Sequence, residues 1–264
     1  MKVYISADIE GITGVTHWDE TEVGKPGYEA SRTQMAAEVR AACEGAAKAG
    51  VREILVKDAH DTGRNLTAAD LPPGTQLLRG WSGHPLAMVE ELDQSCAGVV
   101  LVGYHAPAGS AGSPLAHTLS PLHLLEINGQ PASEFLLAAY SAAYVGVPLL
   151  FVSGDEATCA EAQRLNARIG AFPVKRGVGG GTISVDVEQA LAGIRDGVAA
   201  ALKGDPGLCR VALPERFTVA VTYRDHPKAY RASFYPGATL ASSCTVAFAS
   251  SDFLDVLRFL LFVT

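Results

Sequence analysis

The chain has 264 residues, 48% of them hydrophobic, with 28 acidic against 21 basic residues and a formal charge of -7. That length suits a single α/β domain with a sizeable core, and the acidic balance, with a pI near 5.5, excludes the basic face that nucleic-acid binding needs. Five scattered cysteines without a Cys-x-x-Cys pair exclude a disulfide frame or zinc knuckle and fit a reducing, cytoplasmic compartment. The sequence shows neither a charged and apolar leader nor an apolar run of membrane-spanning length, so no export signal and no membrane partner are expected.

In chain order, Val3, Ile5, Ala7 and Ile9 alternate with Lys2, Tyr4, Ser6, Asp8 and Glu10. A period of two predicts a strand that ends with Asp8 and Glu10 on one face. Two such carboxylates repel each other unless a cation lies between them. Gly11 and Gly14 punctuate the exit. Residues 28–49, rich in Ala and Glu, predict a helix stopped by Gly50. Residues 54–56 predict a short strand that runs into Lys57-Asp58-Ala59-His60. Pro72-Pro73-Gly74 marks a turn, 76–78 a strand and 85–92 a short helix. Residues 98–103 read as a buried strand that ends in Tyr104-His105, and a Gly/Pro-rich loop then delivers His117. A strand over 122–127, a tight turn at Asn128-Gly129 and a helix over 133–144 follow, with Glu134 in the first turn of the helix. Residues 147–152 predict a strand closed by Gly154-Asp155, and 157–169 a helix.

The segment 177–181 is glycine-rich and precedes a helical stretch over 187–202, but it lacks the Lys-Ser/Thr ending of a phosphate-cradling loop. It is expected to be a flexible loop. Strands over 217–222 and 246–249 and a terminal helix over 252–262 complete the chain. This alternation implies one α/β domain over 1–264, built on a mostly parallel sheet flanked by helices, with room for a smaller C-terminal lobe over 205–264.

Ligands of open α/β sheets gather at the carboxyl ends of strands. Asp8 and Glu10, Asp58 and His60, and His105 each follow a predicted strand, so three strands bring metal-competent side chains to one edge. A single such histidine is commonly structural; three at equivalent strand ends favour a metal site. Carboxylates with imidazoles suit zinc, manganese, cobalt or iron, and the lack of a Cys pair argues against a closed structural zinc. His17, His84, His123 and His226 have no motif around them and read as structural or surface residues. Asp58 reads as a partner that orients a ligand, and Asp155 either as a helix N-cap or as a neighbour of the site.

Ser-Ala-Asp-Ile-Glu-Gly-Ile-Thr-Gly (6–14), Asp-Ala-His (58–60), Gly-Tyr-His-Ala (103–106), Ala-His-Thr (116–118) and Ile-Asn-Gly-Gln-Pro-Ala-Ser-Glu (127–134) follow one another in an order that resembles the bacterial D-aminopeptidase family. These are dinuclear zinc peptidases, sometimes labelled dipeptide-transport proteins. The resemblance implies two Zn2+ ions per subunit, with Asp8 bridging them, Glu10 and His105 completing one site and His60 and Glu134 the other. It further implies that His117 is the catalytic histidine and that the chain forms a ring-like homo-oligomer, a decamer. The implied activity is removal of an N-terminal residue, of D configuration, from short peptides. Residues 177–181 depart from the bulkier, more polar stretch of the family, which bears on substrate choice. Two other classes are open: another dinuclear metallohydrolase, an amidohydrolase or a phosphoesterase with Lys57 and Arg64 as its basic groups, and a non-catalytic peptide-binding protein with an export signal and two similar lobes.

Overall fold

The computed structural model describes residues 1–119 and 122–264. Its first half contains β1 (Lys2–Ala7), α1 (Tyr28–Lys48), β2 (Glu53–Asp58), β3 (Thr75–Leu78), β4 (Cys96–Tyr104), β5 (Leu124–Ile127) and β6 (Gln130–Pro131). There follow α2 (Glu134–Val145), β7 (Leu149–Asp155), α3 (Glu156–Leu165), β8 (Gly170–Val178), β9 (Gly181–Ser184) and α4 (Val187–Lys203). The chain closes with β10 (Phe217–Thr222), α5 (His226–Ala232), β11 (Thr239–Leu240), β12 (Thr245–Ser250) and α6 (Phe253–Val263).

The expected α/β architecture is present. Strands β3, β2, β1, β4, β7 and β8 run parallel in that spatial order, and β9 folds back antiparallel on β8. A second, antiparallel sheet has the order β11-β12-β10-β5-β6. Val221 of β10 pairs with Leu125 of β5, so the strands after residue 205 share this sheet with the middle of the chain.

Burial explains the layering. Val3, Ile5 and Val100 point from the first sheet toward Met35 and Val39 of α1 and Ile194 and Val198 of α4. On the opposite face, Tyr4, Val99 and Leu101 meet Phe135 and Ala139 of α2, and beyond them Leu125, Val219 and Phe259 from the second sheet and α6. Both faces of the parallel strands are therefore covered, which is why these strands are apolar almost throughout. Lys57 is an exception at the end of β2. Its buried ammonium lies 2.9 Å from the Glu90 carboxylate and 4.0 Å from the centre of the Trp81 ring. Among the described residues, no helix is long and apolar enough to cross a membrane.

Three expectations change. First, β1 stops at Ala7, because Asp8 N–H bonds the Val102 carbonyl at 2.9 Å and Gly11 N–H bonds the Gly103 carbonyl at 2.7 Å as the chain turns. Second, residues 85–92 hold only a short 3-10 turn, Ala87–Val89. The Met88 and Glu90 carbonyls accept from the Ser6 and Tyr4 hydroxyls, at 2.7 and 2.6 Å, instead of from a following helical turn. Third, the glycine-rich segment is a hairpin turn between β8 and β9, with Val178 paired to Gly181 and Gly179 at φ 57°. The hairpin leans on the loop after β1, where Ser184 Oγ accepts from Gly14 N–H at 3.0 Å.

Candidate metal centre

Strand order reverses between β1 and β4, and the crevice at their carboxyl ends is where such a sheet offers a site. Asp8 and Glu10 leave β1 there, His60 leaves β2 and His105 leaves β4. Glu134 arrives from the far side as the first residue of α2, behind the N-cap Ser133, whose Oγ accepts from Leu136 N–H at 2.9 Å. The loop from β4 brings His117. Its ring lies stacked on His105, with centroids 4.3 Å apart and planes 8° from parallel.

The six side chains suggested by the sequence therefore converge. His60 Nδ1 is 3.2 Å from Asp8 Oδ1 and 3.0 Å from Glu10 Oε2. His105 Nε2 is 3.5 Å from Asp8 Oδ2 and 3.3 Å from Glu134 Oε2. His117 Nε2 is 4.0 Å from Glu10 Oε1 and 3.5 Å from Glu134 Oε1. Asp8, Glu10, His60, His105 and Glu134 are all buried.

The other nitrogen of each ring decides what this cluster can hold. His60 Nε2 is 2.8 Å from the Thr21 carbonyl, His105 Nδ1 is 3.0 Å from the Ala106 carbonyl, and His117 Nδ1 is 3.0 Å from the Leu115 carbonyl. A carbonyl can only accept, so each of those nitrogens carries the hydrogen. In the neutral tautomer, the opposite nitrogen of every ring is then a bare lone pair aimed at carboxylate oxygens. Lone pair against carboxylate is repulsive, and Asp8 Oδ2, Glu10 Oε2 and His105 Nε2 are buried without a hydrogen-bond partner. A cation between them satisfies all of these atoms, and the carbonyl partners are what orient imidazole ligands. The donor set fits a divalent ion of the zinc type.

Electrostatics gives the same answer in protons. Burial, then the neighbouring Glu10, pushes the Asp8 carboxyl well above its ordinary range. Burial acts the same way on Glu10 but is outweighed by His60, His117 and His105, which hold it well below. Glu134 sits at about 2, since His105 and His117 overcome the effect of its burial. Burial disfavours charge on His105, yet Glu134, Asp8 and Glu10 lift it to about 10, and His60 is raised well above its usual value mainly by Glu10 against its own desolvation. Without an ion, His60 and His105 take up protons to supply the missing positive charge.

That balance sets a pH dependence for the ion-free protein. Glu134 contributes stability above its ordinary 4.5 that is lost as pH falls toward about 2. His105 contributes stability below its ordinary 6.5 that is lost as pH rises through about 10. Thermal melts in chelator should therefore peak between 4.5 and 6.5 and fall on the alkaline side. Metal-loaded protein should reverse the alkaline trend, because ions compete with protons for the same nitrogens. Parallel alkaline trends with and without metal would show that these imidazoles bind no ion.

Other residues hold the site from behind. Asp155 N-caps α3 through Thr158 N–H at 2.8 Å and also accepts from Ala106 N–H at 2.7 Å, which anchors the turn that carries His105. Asp58 does not face the cluster. Its carboxylate accepts from Asn65 N–H at 2.5 Å and Leu66 N–H at 2.7 Å, while Asn65 Nδ2 donates to the His60 carbonyl at 2.8 Å. Lys175 of β8, which carries no sequence motif, reaches the Glu10 carbonyl and, at 2.5 Å, the Val15 carbonyl. Trp18 meets His117 edge-on at 5.1 Å. Of the two basic candidates for a phosphate site, Lys57 is locked to Glu90, and Arg64 does not line the cavity over the cluster.

Comparison with known proteins now adds to this geometry. A family model described as D-aminopeptidase matches residues 1–262. The D-aminopeptidase of Bacillus subtilis (strain 168) is 30% identical over 267 residues, covering 100% of this chain and 97% of the relative. Among solved structures, the Zn-dependent D-aminopeptidase DppA from Bacillus subtilis, a self-compartmentalizing protease, aligns with a TM-score of 0.92 and 29% identity, over 100% of this chain and 96% of that one.

Proposed function

This chain belongs to the D-aminopeptidase family and is an aminopeptidase; we propose that Asp8, Glu10, His60, His105 and Glu134 bind two zinc ions per subunit and that the enzyme, with His117 as its catalytic histidine, releases an N-terminal D-residue from short peptides. The observation that carries this reading is the set of three imidazole nitrogens, bare in the neutral tautomer, facing three buried carboxylates. The zinc dependence of the Bacillus subtilis enzyme supports the choice of metal.

In this reading Asp8 is shared, Glu10 and His105 complete one ligand set, and His60 and Glu134 complete the other. Ligand atoms of Asp8, Glu10 and His105 lie within 4.8 Å of one another, which supports the first set. Bound zinc would polarise the scissile carbonyl and bring the pKa of a water toward neutrality. Glu134 Oε1 is held by Leu119 N–H at 2.6 Å, which fixes the carboxylate that faces His117. His117 keeps its Nδ1 hydrogen on the Leu115 carbonyl and so presents Nε2 to the cavity, where it takes a proton and returns it to the leaving amine. Trp18 meets that ring edge-on and forms part of the same cavity wall.

The reading includes a homo-oligomer, a ring-like decamer, supported by the self-compartmentalizing description of the Bacillus subtilis enzyme. It also includes a cytoplasmic location, supported by five free cysteines. The test is hydrolysis of paired D- and L-aminoacyl p-nitroanilides and dipeptides by metal-stripped protein, before and after zinc is added. Zinc-dependent cleavage that favours the D substrates is expected. A protein that binds two zincs firmly and cleaves none of them would overturn the proposal.

A further inference from the structure

The cluster opens into a cavity of about 790 Å³ whose walls come from both sheets. On the first-sheet side, Glu22 follows Thr21, whose carbonyl accepts from His60, and Asp61 follows His60 itself. On the other side stand His123 and Arg224, from the shared end of the β5–β10 ladder. There Leu124 pairs with Thr222, and His123 N–H bonds the Thr222 carbonyl at 2.9 Å. Arg224 is the one Arg or Lys among the described lining residues. The ion-paired arginines are Arg32, Arg195 and Arg258, so among the described residues Arg224 has no carboxylate partner. Arg224 is exposed to solvent, and as the one Arg or Lys on walls that otherwise carry acids it is the group that an anionic end of a substrate would meet.

We propose that Arg224, with His123, binds the free C-terminal carboxylate of the substrate, so that the cavity reads both ends of a zwitterionic peptide. This rests on the aminopeptidase reading above. The ammonium end belongs on the wall of Glu22 and Asp61, next to the cluster that cuts the first peptide bond. The carboxylate end reaches Arg224, whose planar fork matches two carboxylate oxygens at once. A peptide of two or three residues extends about 7 to 10 Å, and a cavity of about 790 Å³ has the volume to hold one. Longer chains would carry their carboxylate past Arg224 and lose the contact. The subsite therefore selects short peptides by their charged end, whatever side chains they bear.

The experiment compares a dipeptide with its C-terminal amide on zinc-loaded wild type, Arg224→Gln and Arg64→Gln, the last an exposed arginine away from the cavity. Wild type should favour the free acid by about tenfold or more in kcat/KM, chiefly through KM, as a charge-assisted hydrogen bond allows. Arg224→Gln should bring that ratio near one, and Arg64→Gln should keep it. An Arg224→Gln enzyme with the wild-type ratio, or a wild type that cleaves both substrates equally, overturns the subsite and leaves the aminopeptidase reading standing. Failure of wild type to cleave either substrate overturns both.

Discussion

Replacing Asp8 with alanine is expected to cost the protein its bound metal and, with it, turnover by about a thousandfold or more. Among the three carboxylates, Asp8 alone touches an imidazole from each neighbouring strand end, His60 at 3.2 Å and His105 at 3.5 Å. Glu10 and Glu134 each approach one of that pair. No remaining side chain can take over the shared position. The fold should survive, because burial already works against the Asp8 charge and its removal relieves repulsion from Glu10. Elemental analysis of the purified variant, alongside far-ultraviolet circular dichroism, separates loss of the site from loss of the fold. Full metal content in a folded Asp8→Ala protein would remove Asp8 from the ligand set.

His117→Ala should do the reverse. Its ring is partly exposed and faces Glu10 and Glu134 without touching Asp8, so metal content should hold while kcat falls by about 10² to 10⁴, the usual worth of a positioned proton carrier. KM should change little. His117, His105 and Glu134 also place ligand atoms close enough together to hold an ion, and the same elemental analysis decides between these roles. Metal lost in proportion to activity would make His117 a ligand; metal retained with turnover near wild type would deny it any part in the reaction.

Much of this was legible in the sequence for a local reason. The alternation in residues 217–222 reproduces β10, and the Ala-rich run from Tyr28 reproduces α1 to within a residue. In both, one periodic face is buried along its length. Site residues at strand ends were visible because a parallel sheet places equivalent ends together. The way Glu10 meets His60 was not visible, since it depends on the turn after Ala7 and not on spacing within a strand. Lys175 gave no signal because its carbonyl partners, Glu10 and Val15, lie far away in the chain. The apolar stretch near Met88 looked helical, but its carbonyls are taken by Tyr4 and Ser6, partners a local pattern does not reveal.

The loops that carry Asp8 and His105 press on each other with no room between them. A methyl group on Gly11 would run into the Gly103 and Tyr104 carbonyls, and one on Gly103, which sits at φ 75°, would run into the Asp8 carbonyl. Each obstacle is main chain, so no change of rotamer and no smaller neighbour can make way. The two positions consequently cannot drift one after the other, nor rescue one another as a pair, because the atoms in the way belong to every amino acid alike. The innermost turn of this centre therefore admits no stepwise route to a bulkier residue that leaves Asp8 where it is.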